Sequence, residues 1–224
     1  MSDVVVVDRP TPVGPPTQPA VGDSQSSHGP SERALAWVLS IGGFVGLLAS
    51  ATLLIEKIEL LKDPDYVPSC SINPILSCGS IMRTWQAEVF GFPNPVLGVI
   101  GFAVVLTVGV SLLSGVDYPR LFWVGLQIGA TLGLVFVHWL IYQSLYRIDA
   151  LCPYCMVVWC VTAAIFWYMS LRNLRAAVGT RSGASARLVR VGAEFHAVVL
   201  TGWALAVSGL IAERFWDYWT TLLP

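Results

Sequence analysis

Charge is what this chain has least of. Only 12% of its 224 residues are Asp, Glu, Lys or Arg, while 55% are hydrophobic; a soluble domain carries charge on about a quarter of its positions. The charges are also clustered. Five stretches hold none at all: Ala34–Ile55 (22 residues), Val89–Val116 (28), Leu121–Tyr146 (26), Ala150–Leu171 (22) and Phe195–Ala212 (18). Crossing the hydrocarbon core takes about 20 apolar residues in a helix, because no water is there to satisfy an open backbone. Five such runs in so short a chain leave too little polar surface to cover them in water, which excludes a soluble globular fold. The expectation is an all-α integral membrane protein with five transmembrane helices, partnered by a lipid bilayer and by no nucleic acid.

Other absences narrow the reading further. No basic start precedes the apolar run Val4–Val7, which is far too short for a signal-peptide core; the first membrane helix must act as the insertion signal. Residues 1–32 hold six of the fourteen prolines among Gly, Ser, Gln and Thr, offer little to bury, and read as a disordered cytoplasmic tail. Within the five runs no acidic or basic side chain is available beyond histidine, and no inverted repeat is visible, which argues against a transporter.

The connection Arg172–Gly192 carries Arg172, Arg175, Arg181, Arg187 and Arg190 and no acid. The positive-inside rule makes it cytoplasmic. Counting back gives a cytoplasmic N-terminus, with the connection Glu56–Asn94 and the turn Arg147–Asp149 facing outward. Eight Lys and Arg then lie inside and five outside. Trp216, Tyr218 and Trp219 would anchor the C-terminal end at the outer interface. Four of the five cysteines fall on the outer side, where disulfides are permitted. The absence of a retention signal favours a bacterial inner membrane over an endoplasmic reticulum.

Cys152-Pro-Tyr-Cys155 opens the fourth span. The i, i+3 spacing puts both sulfurs on one helix face, with Asp149 as expected N-cap and Pro153 in the first turn. A helix N-terminus favours the thiolate, the form that attacks disulfides. The motif also fits half a zinc site or a structural disulfide, but without a βαβ pattern around it, not a thioredoxin-like domain. Cys70 and Cys78 lie in the outer connection, seven residues between them, followed by an amphipathic stretch Ile81–Phe90. Two outward pairs suggest a relay in which a mobile pair exchanges with a fixed one through mixed disulfides. The loop pair equally fits a staple, and the four sulfurs one zinc, although the x₇ spacing is unusual for that; no metal is expected. Cys160, two turns deeper, reads as packing.

Cys70-x₇-Cys78 with Ser77 before the second cysteine, Phe92-Pro-Asn-Pro-Val-Leu-Gly98 leading into the second span, and Cys152-Pro-Tyr-Cys155 together resemble the vitamin K epoxide reductase family, specifically a bacterial homologue, over roughly residues 35–172. The resemblance implies a four-helix transmembrane bundle around a quinone (menaquinone or ubiquinone), capped by the outer loop with a short horizontal helix. It divides the chain into a tail (1–32), a core (33–172, outer loop 56–94), a basic cytoplasmic loop (173–192) and a fifth transmembrane helix with an outer tail (193–224). It assigns Cys155 to the quinone ring, Cys152 as the partner attacked by Cys78, and Cys70 as the loop cysteine exposed to an external thiol protein. Asn94 would hydrogen-bond a quinone carbonyl. Trp159 stands where animal members often carry Tyr and would wall the same site, donating only through its indole nitrogen. His138, ionisable and inside the third span, is a further candidate quinone contact, with a helix–helix contact as the alternative. No fused thioredoxin-like domain follows, so the redox partner would be a separate thioredoxin-fold thiol oxidase, the membrane quinone pool taking the electrons in support of disulfide bond formation. Quinone-epoxide reduction, or a membrane protein whose cysteines are only staples, are the competing readings.

Overall fold

The structure, a computed structural model, describes residues 30–178, 187, 191–192 and 194–222. The expected disordered tail up to residue 29 and most of the basic 173–192 connection lie outside the described residues.

Five helices are long and apolar enough to cross a membrane among the described residues: α1 (Pro30–Lys62), α3 (Pro95–Leu113), α4 (Arg120–Gln143, continued by a π-helical turn Ser144–Ile148), α5 (Pro153–Val178) and α6 (His196–Arg214). Between α1 and α3 sit a short helix α2 (Cys78–Met82) and a 3₁₀ turn (Trp85–Glu88); α7 (Trp216–Leu222) closes the chain. The all-α integral membrane architecture expected from the charge-free runs is therefore present. Each run became a helix because its backbone can be satisfied internally without water.

Prolines and a glycine punctuate the helices. Pro95 and Pro153 begin α3 and α5, and Pro119 immediately precedes α4. A missing N–H is harmless there. Gly115, at φ 85°, ends α3 in the left-handed region, with its N–H and that of Val116 closing on Leu112 and Ser111 carbonyls.

The bundle is α1, α3, α4 and α5, with α1 packed most extensively on α3 and then on α5, and α4 on α5. Small residues set the α1–α3 spacing. A Cβ at Gly43 would stand 2.6 Å from the Leu106 backbone nitrogen, so glycine is what permits the approach. One core (Leu35, Leu39, Phe102, Trp123, Ile165, Met169) fills the end away from the cysteines. Two others meet at the cysteine end, one built on Val137, Ile141, Leu145, Leu151 and Trp159, the other on Leu53, Leu60, Met82 and the cysteines. The outward faces are apolar, as with Ile41, Phe44 and Leu48 on α1 and Val124, Ile128 and Leu132 on α4, which suits lipid.

One boundary moves. The connection between the first two spans starts later than residue 56, because α1 runs past Ile55 to Lys62 and carries Glu56 and Lys57 buried at 7% and 6% exposure. Within that connection α2 ends at Met82 and the 3₁₀ turn starts at Trp85, with Thr84 in extended conformation between them.

Candidate functional site

The two cysteine pairs meet because backbone brings them together. Asn73 Oδ1 accepts from the N–H groups of Ile75 and Leu76 (3.0 and 2.7 Å), an Asx-type turn that folds the loop between Cys70 and Cys78. Leu76 then bridges Leu151 in parallel: Leu151 N–H donates to Ile75 O (2.7 Å) and Ser77 N–H to Leu151 O (2.9 Å). Cys152 follows Leu151 directly, and Cys78 lies two residues beyond Leu76. Cys78 and Cys152 thus face each other with their sulfurs 3.0 Å apart. Cys78 is at the same time bonded to Cys70, while Cys152 and Cys155 are free thiols. Cys70, Cys78 and Cys152 are all buried, at 4%, 0% and 1% exposure.

Ser77 caps α2, its Oγ accepting from Ser80 N–H (3.3 Å). Cys152 sits just before the first residue of α5, where helix N–H groups converge. The hydrogen bond from the Cys155 thiol, aided by the backbone N–H groups of Cys155 and Tyr154, holds the Cys152 thiol below its ordinary value against the opposing effect of burial. These contacts favour the thiolate form of Cys152 over the thiol. The three sulfurs of Cys70, Cys78 and Cys152 lie within 4.8 Å of one another, but a disulfide between two of them leaves a single thiolate ligand.

Behind the sulfurs the bundle encloses a cavity of about 660 Å³. It runs from Cys152 and Cys155 along α4, past Gln143, Val137 and Gly129, to Phe122 and Met169 at the opposite end. Polar side chains (Lys57, Gln86, Asn94 and Gln143) gather at the cysteine end, and the rest of the wall is mainly apolar, with the hydroxyl residues Ser50, Ser144 and Thr162 among it. A long apolar groove with donors and acceptors at one end, beside a thiol, fits a molecule with a polar redox ring and a hydrocarbon tail.

A family model of the vitamin K epoxide reductase family matches residues 37–170. The chain belongs to the vitamin K epoxide reductase family. The match takes in α1 to most of α5 and both cysteine pairs; α6 and α7 lie beyond it. No curated protein matches the chain. A vitamin K epoxide reductase family member with a cysteine cluster at one end of a membrane bundle is a membrane thiol-disulfide oxidoreductase.

Within this family site, the residues singled out from sequence separate into two groups. Cys78, Cys152, Cys155, Asn94 and Trp159 line the cavity, and Cys70 is joined to it through its disulfide. Asn94 also ties the cap down: its Nδ2 donates to Gln86 O (2.7 Å) and its Oδ1 accepts from Val89 N–H (3.3 Å). His138 is elsewhere. Its Nδ1 meets Leu134 O at 2.9 Å and its Nε2 accepts from the Trp203 indole of α6 at 3.0 Å, so it serves the helix–helix contact and does not line the cavity. Cys70 is not exposed, as the family resemblance implied, but buried. Asp149 does not cap α5: it takes a positive φ of 57° after the π-helical turn and pairs with Arg214. Cys160 is exposed on the outside of α5.

Sequence reasoning missed Glu56 and Lys57, which looked like charges marking the end of a membrane run. Lys57 Nζ donates to Met82 O (2.6 Å) and pairs with Glu88 (2.7 Å), pinning α2 and the 3₁₀ turn over the cavity. Glu56 accepts from Tyr66 Oη (2.9 Å), Ser69 N–H (3.2 Å) and Ser69 Oγ, fixing the residue before Cys70. The signal that could have found them is their position within the last two helical turns of α1 before the Pro-broken loop they hold.

Proposed function

We propose that this chain reoxidises a separate thioredoxin-fold thiol oxidase on the outer side of a bacterial inner membrane and passes the electrons to the membrane quinone pool. The observation that carries this reading is the 3.0 Å contact between the Cys78 and Cys152 sulfurs, a disulfide against a thiol at the mouth of an apolar cavity.

The steps balance in thiols and disulfides. A partner thiolate attacks Cys70, the partner leaves as a disulfide, and Cys70 and Cys78 are left reduced. Cys78 then attacks Cys152 of the closed membrane pair, and Cys70 resolves the mixed disulfide by attacking Cys78. This restores the loop disulfide and leaves Cys152 and Cys155 as thiols, the pairing present here. Exchange of this kind requires the attacking sulfur to reach its target, and the Leu76–Leu151 bridge supports that. A quinone bound in the cavity supplies the acceptor for the two electrons and two protons released when Cys152 and Cys155 close again. Cys155 fronts the cavity, and Asn94 keeps one amide hydrogen and one lone pair beyond its bonds to Gln86 and Val89, enough to orient a carbonyl oxygen. Trp159 and the apolar wall exclude water, so positioning is the protein's main contribution.

The test is quinone reduction by the purified protein with a reduced thioredoxin-fold donor. Cys70, Cys78, Cys152 and Cys155, each changed to Ala, are expected to abolish turnover, while Cys160→Ala retains it. A wild-type protein that reduces no quinone with any thiol donor overturns the proposal.

A further inference from the structure

The fifth helix lies outside the family match, yet its last turn reaches the redox site. Arg214 Nε donates to Leu145 O (2.9 Å) and its Nη2 donates to Asp149 Oδ1 (2.5 Å). Leu145 belongs to the π-helical turn, and its side chain is fully buried. The neighbouring Phe215 is buried at 7% exposure and packs in the same cluster as Leu145, Leu151 and Ile75. One guanidinium thus grips both the turn and the positive-φ residue that ends it, three residues before Cys152. From there the path is short. Ala150 N–H closes on Ser144 O (3.3 Å), Leu151 makes both hydrogen bonds of the bridge to Ile75 and Ser77, and the sulfurs of Cys78 and Cys152 follow at 3.0 Å.

We propose that Arg214 is a positioning residue for the Cys78–Cys152 exchange, the fork through which the fifth helix holds the 144–151 segment where Leu151 can bridge the cysteine loop. The inference rests on the relay proposed above and adds a residue to it. Arg suits the task because its rigid planar fork holds separate N–H donors in a fixed geometry toward the carbonyl and the carboxylate, where an ammonium is a point charge on a flexible stem. The contact with Asp149 is half-exposed, so its Coulomb energy is modest; the effect is on geometry.

The test uses the full chain carrying Cys70→Ala and Cys155→Ala, which leaves Cys78 and Cys152 as the facing pair. It is equilibrated in glutathione buffers, where oxidised glutathione closes the pair and yields two reduced molecules. Peptide mapping reads the ratio of Cys78–Cys152 disulfide to dithiol, a ratio that loss of folded protein does not change. Arg214→Ala is expected to lower the effective concentration of one thiol at the other about tenfold, since misplacement of this kind weakens an intramolecular reaction steeply. Arg214→Lys should fall between. Asp149→Asn, which keeps a residue that tolerates positive φ, should act in the same direction even if Arg214→Ala does not accumulate. Combined with Arg214→Ala it should add less than its separate effect. A ratio within twofold of the parent in both single variants overturns the positioning role. A parent that forms no Cys78–Cys152 disulfide at all overturns the relay, and this inference with it.

Discussion

Lys57→Met separates a cap that is pinned from one that merely rests on the bundle. Methionine keeps the length and apolar stem of the lysine but removes its donor. The Met82 carbonyl, at the end of α2, then loses a 2.6 Å hydrogen bond, and a buried acceptor left without a partner is worth about 1–3 kcal/mol. The ion pair with Glu88, whose side chain is 39% exposed, adds at most about 1 kcal/mol. Taking about 2 kcal/mol together, the closed cap opens roughly thirtyfold more often. Cys152 is 1% exposed, so a maleimide reaches it through such opening, and its modification rate follows the open population when reclosing is fast. Peptide-resolved alkylation of the native protein should therefore show Cys152 labelled about thirtyfold faster in Lys57→Met. Lys62→Met, which breaks a pair exposed at 64% and 43%, should change it by less than about twofold. Equal labelling in Lys57→Met and wild type, or an equal gain in Lys62→Met, would refute the pinning role.

Three further outcomes are expected. Glu56→Gln keeps the shape but drops the charge that accepts from Ser69 and Tyr66. It should speed reduction of the Cys70–Cys78 disulfide by an external dithiol on the order of tenfold, since bonds to a charged group are worth about 1.5–3 kcal/mol; stopped-flow reduction checks it. Cys155→Ala removes the first cause of the lowered Cys152 thiol. A lowered thiol is thiolate at lower pH, so in a chain also carrying Cys70→Ala and Cys78→Ala, which leaves Cys152 no loop disulfide to join, the midpoint of Cys152 alkylation in a pH series should rise on Cys155→Ala, and a midpoint that stays or falls contradicts the assignment. Gly43→Leu, placed 2.6 Å from the Leu106 backbone, should force α1 and α3 apart and lower the melting temperature in detergent, whereas Gly202→Ala on α6, which meets nothing within 4 Å, should not.

The sequence showed most where physics is local. Charge-free runs located all five membrane helices because a span is defined by what it lacks, and the Cys-x-x-Cys spacing needs only one helix turn to be read. What it did not show depends on which face meets which. His138 carried the right chemistry for a site, but the face of α4 it occupies turns to Trp203 of α6, and no periodicity says where a fifth helix docks. Asp149 stood at the proper distance for a cap, yet the π-helical turn carried it into positive φ and toward Arg214, 65 residues away. Glu56 and Lys57 ended a charge-free run and were read as its boundary. They remain helical because their partners, Ser69, Met82 and Glu88, lie in the loop that folds back over them. The burial of Cys70 has the same origin: the loop is held down by a carboxylate on α1.

The most direct test of the account is a disulfide map of the full chain carrying Cys155→Ala, purified with its thiols blocked by acid quenching. Cys152 then lacks its resolving partner and stands against the Cys70–Cys78 disulfide at 3.0 Å. The account predicts that peptides containing Cys78 and Cys152 are recovered cross-linked, with Cys70 released as a free thiol. Recovery of Cys70–Cys78 alone, with Cys152 free under oxidising and reducing donors alike, would contradict it.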